Sequence, residues 1–587
     1  MSVVSSISGS TLSSIPPFED FVTYQYILHH LCRMRAKLAK QRDKRNLIYV
    51  ISSDRRYLDE DLSDLESELQ TLLPSRKKWK KLRKASRYKK GQLLNSIDKN
   101  IRTILYTIDA FKKENASEPF LIKLDEFITS IEDAIKDEDY EIQLPEIIPK
   151  KKDGNNESYE CRPISMYRLK DRIIIGLANK YLSMLFDKYF YDDSFAFRTK
   201  QQNSKPPTHH DAIKRIKAYL KQQGRNKLWV AECDMKKFYD TVNHSIVKNC
   251  FKRLLQKTKT DNPTLQTKSI KRIFYSYLDS YAFNKDVLPL NDDLEYFKKY
   301  KIAKGQFGWV KEELIKNEYY KSINKSRIGV PQGGALSGLI ANIVLDRVDK
   351  KFEKMRDCNL LYIRYCDDML IIHPSKKQCK KAVNIYKKEL ESLKLIPHEF
   401  KVCGNRKEFW SQKSKSPYKW SNEKSDCKRW IGFVGYEINY VGDVRVRKKS
   451  LEREMKKQYI VVNDINKALE YGKQRAKNKK IEESVINRLI GMSVGRVKLW
   501  NKDSINNEMC WLHGFSEITD NKDSRTQLKR LDACRNKLFR KFTKKLKRGG
   551  DIDVSETKKP KKNKLPRFYG KPFSYYYQGI ERKKQEA

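Results

Sequence analysis

Two carboxylates stand side by side, Asp367 and Asp368, between the apolar runs LLYIRY and MLIIHP. Short runs rich in β-branched and aromatic residues on either side of a break read as a strand pair, so the two charges fall at a hairpin tip. Like charges that close repel each other. A divalent cation removes that repulsion, and Mg2+ favours carboxylate oxygen and retained water. Alone, the string Tyr365-Cys366-Asp367-Asp368 is equally compatible with a solvated turn.

Two further segments bear on this tip. In LWVAECDMKKFYDTVNH, Asp234 closes an apolar strand-like run, and Phe238 and Tyr239 open a short helix. One carboxylate at a strand end and two at a hairpin tip can converge on a metal pair about 3.5–4 Å apart. Read by itself, Asp234 is also a helix-capping residue. Between the two segments lies RIGVPQGGALSGLIANIVLDRVD. There Gly333 and Gly334 allow the backbone to approach a substrate closely, and a helix follows.

The rest of the chain divides by pattern. Residues 1–141 read as an N-terminal helical extension, disordered over about the first 18 Ser-rich residues. Within it Leu62, Leu65, Leu69 and Leu72 recur at helical spacing, and a basic cluster runs from Arg76 to Lys90. Residues 142–447 alternate strands and helices, which argues for an α+β domain. Within that domain 255–325 reads as a polar, Lys/Tyr-rich insertion. Residues 448–547 are helical and basic, and 548–587 form a basic aromatic tail with the Lys558–Lys564 run, Tyr569, Tyr575, Tyr576 and Tyr577.

The 124 Lys and Arg outnumber 74 Asp and Glu, giving a formal charge of +50. A charge that large calls for a polyanionic partner, and nucleic acid is the natural one because each neutralised phosphate releases a counterion. A basic ribosome-associated protein would share this composition. Eleven cysteines without a CxxC pair point to reduced thiols. With no signal-peptide pattern at the N-terminus and no apolar run of membrane-spanning length, the expectation is a cytoplasmic protein with no membrane partner.

Taken in order, these segments resemble the reverse transcriptase family. VAECDMKKFYD is similar to its first palm motif, GVPQGGALSG to its second, YCDD to the Tyr-x-Asp-Asp signature and WIGFVGYEI to the primer-grip hairpin. Upstream, IIPKKKDG, YECRPI, LKDRIIIGLANKYL and SFAFR resemble the fingers motifs of bacterial enzymes, including those of group II introns and retrons. The resemblance implies a right-hand polymerase of fingers, palm and helical thumb, and RNA-directed DNA synthesis from dNTPs.

By the same resemblance Asp234, Asp367 and Asp368 would ligate two Mg2+ ions, with Mn2+ as a substitute. Lys151 and Arg162 would grip the triphosphate, and Gln332 and Gly333 would contact the incoming nucleotide. The Tyr239 ring would exclude a ribose 2′-hydroxyl. Two departures stand out: Gly338 where many bacterial relatives have proline, and Cys366 where retron-like enzymes commonly have alanine. The long helical extension, without a nuclease, maturase or RNase H signature after the thumb-like region, resembles the defence-associated or unknown-group enzymes. The partners this implies are RNA, including a dedicated noncoding RNA, the DNA product, and a second copy or a companion defence protein. Template-independent or protein-primed synthesis on the same core, and a catalytically idle RNA-binding scaffold, are the competing expectations.

Overall fold

The apolar runs flanking Asp367 and Asp368 are strands, and they organise the sheet around them. In chain order the strands are β1 (Tyr88–Lys89), β2 (Gln92–Leu93), β3 (Glu146–Lys151), β4 (Cys161–Met166) and β5 (Leu228–Cys233). Then follow β6 (Leu361–Tyr365), β7 (Asp368–His373), β8 (Lys415–Trp420), β9 (Trp430–Phe433), β10 (Tyr436–Asn439) and β11 (Val444–Val446). The computed structural model describes residues 15–54, 64–89, 92–94, 96–114, 117–152, 159–199, 205–224, 227–355, 357–402, 406–422, 427–494, 511–548, 572–574 and 577. The Lys558–Lys564 run, Tyr569, Tyr575, Tyr576 and the Ser-rich start lie outside the described residues.

The chain forms two compact units: residues up to Leu31 with Ser117–Arg429, and Cys32–Ala116 with Trp430 onward. The N-terminal stretch 1–141 is thus shared between them.

In the first unit β6, β7, β5 and β8 form an antiparallel sheet in that spatial order. Residues 369–372 of β7 are all buried, so both faces of this strand are covered. The helix Lys376–Ser392 packs on β7, β5 and β8, and the helix His209–Gln223 packs on β6. Strands covered on both sides read as near-continuous apolar runs, which is how MLII and, apart from the buried Arg364, LLYIRY look in the sequence.

The hairpin β3–β4 stands apart from this sheet, with Lys150 paired to Arg162 and Lys151 to Cys161. Its strands alternate in burial. Ile147, Pro149, Pro163 and Ser165 face inward, and Lys150 and Arg162 lie on the exposed face.

The 255–325 stretch is folded. Phe283, Val287, Phe297, Ile302 and Phe307 join Ile147, Cys161 and Tyr281 in one buried cluster beneath that hairpin. The Gln306 carbonyl accepts from Cys161 N at 2.8 Å, and Gln306 N donates to the Tyr159 carbonyl at 2.9 Å. The segment therefore runs beside β4 like an added strand.

The second unit is mainly helical. Helices Lys448–Tyr471, Asn478–Val494 and Lys522–Arg548 share a core of Val462, Ile465, Ile481, Val485, Leu489, Phe542 and Leu546. A three-stranded sheet, β11-β10-β9, accompanies them. The β9–β10 turn places both Val434 (φ 41°) and Gly435 (φ 89°) at positive φ, the pattern of a two-residue hairpin turn. The described part of the tail is anchored. Asp532 accepts from Phe573 N at 2.9 Å, Ser574 N at 3.1 Å and Ser574 Oγ at 2.7 Å, and Phe573 and Tyr577 are buried.

Candidate active site

Asp234 follows the last residue of β5. Cys233 pairs with Met369, so one step further the register sets Asp234 opposite Asp368. Its backbone is fixed from two sides. Ser414 Oγ accepts from Asp234 N at 2.9 Å and donates to Asp234 O at 3.0 Å, and His398 N donates to the same carbonyl at 2.9 Å. The carboxylate accepts from Met235 N at 2.9 Å and lies 3.4 Å from Lys413 Nζ.

Across the β6–β7 turn, Tyr365 pairs with Asp368, leaving Cys366 and Asp367 as the two turn residues. Cys366 has φ 59°, a conformation that costs a non-glycine residue energy and that clusters at functional sites. Asp367 is half-buried. Its carboxyl is pushed up by burial, and the nearby charge of Asp234 raises it further while Lys413 lowers it. Asp368 is exposed. Among the described residues no group of three His, Cys, Asp or Glu is gathered closely enough to hold a metal ion as it stands. Asp234 and Asp367 are the interacting pair. Two partly desolvated carboxylates that repel each other, with a lysine as their counter-charge, are a donor set that fits a divalent cation.

The turn rests on a charged network inside the protein. Arg364, wholly buried, donates Nε to Asp349 at 2.9 Å and 3.0 Å and Nη2 to Asp349 Oδ2 at 2.5 Å. Its Nη1 reaches Asn342 Oδ1 at 3.0 Å and the Cys366 carbonyl at 3.1 Å. Tyr362 OH donates to Asp349 Oδ1 at 2.8 Å.

Tyr239 belongs to the short helix Phe238–Thr241, and its hydroxyl lies 3.3 Å from Cys366 Sγ. Burial pushes that phenol well above its ordinary range. The ring thus borders the turn that carries Asp367. Gln332 donates Nε2 to Asp240 Oδ1 at 2.7 Å, and its carbonyl accepts from Ser165 N of β4 at 2.9 Å. Gly333 is exposed with φ 95°, where a side chain would be strained. Gly334 is required for a different reason, since a Cβ there would fall 2.1 Å from Tyr277 Oη.

On the β3–β4 hairpin, Arg162 and Lys151 are both exposed but start from opposite faces. Direct partners in an antiparallel pair share a face, so Arg162 lies with Lys150, and Lys151 lies with buried Cys161. Ile164 is on the face of Arg162, and it is the residue nearest the space above Gly333. Lys150 is therefore the better-placed cation, and strict alternation through EIIPKK and CRPISM is the signal that could have shown it. Asp240, Lys413 and the Glu160 ion pairs to Lys152 (2.7 Å) and Lys237 carry no motif of their own and emerge only in three dimensions.

A sheet with one aspartate at the end of a central strand and an Asp-Asp turn beside it, under a fingers-like hairpin, defines the palm of a right-hand polymerase. Residues 148–434 match the family model described as reverse transcriptase (RNA-dependent DNA polymerase). This segment belongs to the reverse transcriptase family. Protein YkfC of Escherichia coli (strain K12) is 26% identical over 192 residues, 32% of this chain and 37% of YkfC. The COX1/OXI3 intron 1 protein of Saccharomyces cerevisiae is 26% identical over 206 residues, 35% of this chain and 18% of that protein. The chain thus covers well under half the length of either relative. Apo telomerase from Candida tropicalis is 15% identical with a TM-score of 0.33, over 76% of this chain and 74% of that one. Telomerase from Candida albicans, in complex with a TWJ fragment of telomeric RNA, is 12% identical with a TM-score of 0.32, over 79% and 77%.

Proposed function

We propose that the chain is an RNA-directed DNA polymerase that extends a primer with dNTPs by two-metal phosphoryl transfer. The observation that carries this is the pairing of buried Asp234, just past the end of β5, with half-buried Asp367 in the β6–β7 turn, bordered by Tyr239 and Gln332. Bound there, Mg2+, or Mn2+ in its place, would lower the pKa of the primer 3′-hydroxyl and neutralise the triphosphate. Asp234 and Asp367 would hold the ions, with Asp368 beside them on β7. Arg162 and Lys150, or Lys151, supply positive charge to the triphosphate, an electrostatic role suited to phosphoryl transfer. Lys413 serves as counter-charge to Asp234 when no ion is bound. The Tyr239 ring sets the sugar choice.

The helices of the second unit act as the thumb, and RNA is the template and partner. Anti-phage defence with a dedicated noncoding RNA is the setting, supported by the long helical extension and the charge of +50.

The test is labelled dNTP incorporation on RNA primer–templates in Mg2+. Incorporation should disappear in EDTA and in Asp234→Ala and Asp367→Ala, with circular dichroism and RNA affinity unchanged. Undiminished incorporation by an Asp367→Ala/Asp368→Ala double variant would overturn the assignment. RNA binding with no incorporation by the wild-type chain would leave the idle-scaffold reading. Sequencing the nucleic acid that copurifies identifies the RNA.

A further inference from the structure

Phe197 combines three features that rarely meet in one residue. The residue is exposed, at 52%, although Phe195, Ala196 and Arg198 around it are all buried. Its backbone has φ 54°, the left-handed region that a bulky residue rarely adopts. Its ring lies flush on Gly338, where a Cβ would come within 2.5 Å of Phe197 Cδ1 and 2.6 Å of Cγ.

The loop that carries it is firmly held. Arg198 donates to Asp187 Oδ1 (2.9 Å), Asp187 O (3.0 Å), Tyr191 O (2.8 Å) and Ser194 O (2.9 Å). Thr199 N donates to Asp187 Oδ1 at 2.9 Å. Phe195 N donates to Arg364 O at 3.0 Å, and Arg364 N donates to Asp193 O at 3.0 Å. Asn342 Nδ2 takes the Ala196 carbonyl at 2.9 Å and the Phe197 carbonyl at 3.4 Å, while Asn342 Oδ1 accepts from Arg364 Nη1. That guanidinium also holds the Cys366 carbonyl in the turn that carries Asp367. Asn342 and Arg364 thus link the Phe197 backbone to the catalytic turn by hydrogen bonds.

A strained conformation persists only where its surroundings impose it, and such sites cluster where function uses them. Here the surroundings impose the exposure of an aromatic residue. We infer that Phe197 is a stacking platform for a nucleobase of the bound primer–template next to the reacting pair, seated by Gly338 and kept in register with the catalytic turn by Asn342 and Arg364. A base is the occupant because the chain carries a charge of +50 and the platform is tied by hydrogen bonds to the polymerase turn. Aromatic rings in strand-binding grooves stack on bases with little regard to sequence. The inference rests on the polymerase reading and adds to it a residue that grips nucleic acid rather than dNTP. It also accounts for Gly338, because a proline there would collide with the ring.

The experiment is an abasic scan. Oligonucleotide primer–templates carrying one abasic site at each position near the primer end, on either strand, are titrated against wild type, Phe197→Asn and Phe197→Trp. Asparagine tolerates the left-handed backbone, so that variant keeps the loop. In wild type, one abasic position should weaken binding by about tenfold. The same abasic site should cost Phe197→Asn nothing further and Phe197→Trp as much as wild type. The strand that carries the sensitive position identifies template or primer. Gly338→Ala should mimic Phe197→Asn by displacing the ring. Every abasic position costing wild type and Phe197→Asn the same would overturn the inference, even with incorporation intact. Loss of the polymerase reading would instead show as no incorporation by wild type.

Discussion

The side-chain amide of Gln332 donates to Asp240 Oδ1 at 2.7 Å, so the residue expected to touch the incoming nucleotide is held by a buried carboxylate. Trp309 Nε1 fixes the Asp240 carbonyl at 2.9 Å. Burial pushes the Asp240 carboxyl up to about 6, against the lowering effects of Gln332, Lys237 and Lys152, while Glu160 raises it further. Ionised, Asp240 can only accept, so Gln332 must turn Nε2 inward and leave Oε1 for substrate. Protonated, it can donate, and the amide is free to turn. The dNTP KM should therefore rise about threefold to tenfold between pH 7 and pH 5. In Asp240→Asn it should be raised and flat over that range. Steady-state KM between pH 5 and 8 is the measurement, and identical profiles for the two proteins would refute the link.

Tyr239 contributes a ring and a hydroxyl to different tasks. The hydroxyl is engaged with Cys366 Sγ at 3.3 Å, so it is not the group that meets the sugar. Tyr239→Phe should keep the rNTP-to-dNTP incorporation ratio nearly unchanged, and Tyr239→Ala should raise it at least about tenfold. Competition assays with paired nucleotides report both. A change in Tyr239→Phe as large as in Tyr239→Ala would move the selection to the hydroxyl.

The palm hairpin and the Asp234 strand were legible because a strand covered on both faces writes itself as a near-continuous apolar run around its polar tip. The fourth strand was not. β8, with the sequence KSPYKW, is polar and contains Pro417. It is tolerated because β8 is an end strand of the sheet and Pro417 falls where its pairing with β5 shifts register, between Tyr418 and Lys415. Its own Lys415 is buried on Glu232, a pairing that no sequence period announces. The 255–325 stretch hid its core behind tyrosines and lysines, yet Tyr277, Tyr281 and Phe283 are among the best-buried residues. Asp367 could be named from its motif. Asp240 could not, because its role depends on a Gln 92 residues away.

Arg364 and Asp349 are fully buried and paired, and the Cys366 carbonyl hangs from the same guanidinium. Removing one partner strands the other charge. Asp349→Ala should therefore destabilise by about 3–5 kcal/mol and reduce incorporation through the displaced turn. Arg364→Met/Asp349→Leu should recover much of the stability but not the activity, because nothing then holds the Cys366 carbonyl. Urea unfolding and incorporation measured on both variants separate the two effects. Full activity in the stable double variant would show that the turn needs no such support.

His244 opens the helix His244–Asp261, and its Nε2 lies 2.7 Å from the Gly329 carbonyl. Burial pulls its pKa down to about 4. The Gly329 contact opposes that shift, as does Asp279, whereas Arg327 and Lys248 add to it. A helix N-terminus is also a poor place for positive charge. Because the folded pKa lies below the unfolded value of about 6.5, stability is fully present above pH 6.5. It is lost as pH falls toward 4, by about 2 kcal/mol at pH 5. His244→Gln keeps an amide that can donate to Gly329 but cannot take up a proton. It should cost about 1 kcal/mol at pH 7.5 and lose about 2 kcal/mol less than wild type between pH 7.5 and pH 5. Urea midpoints at the two pH values give the comparison. Equal acid sensitivity in both proteins would place the titrating group elsewhere than at His244.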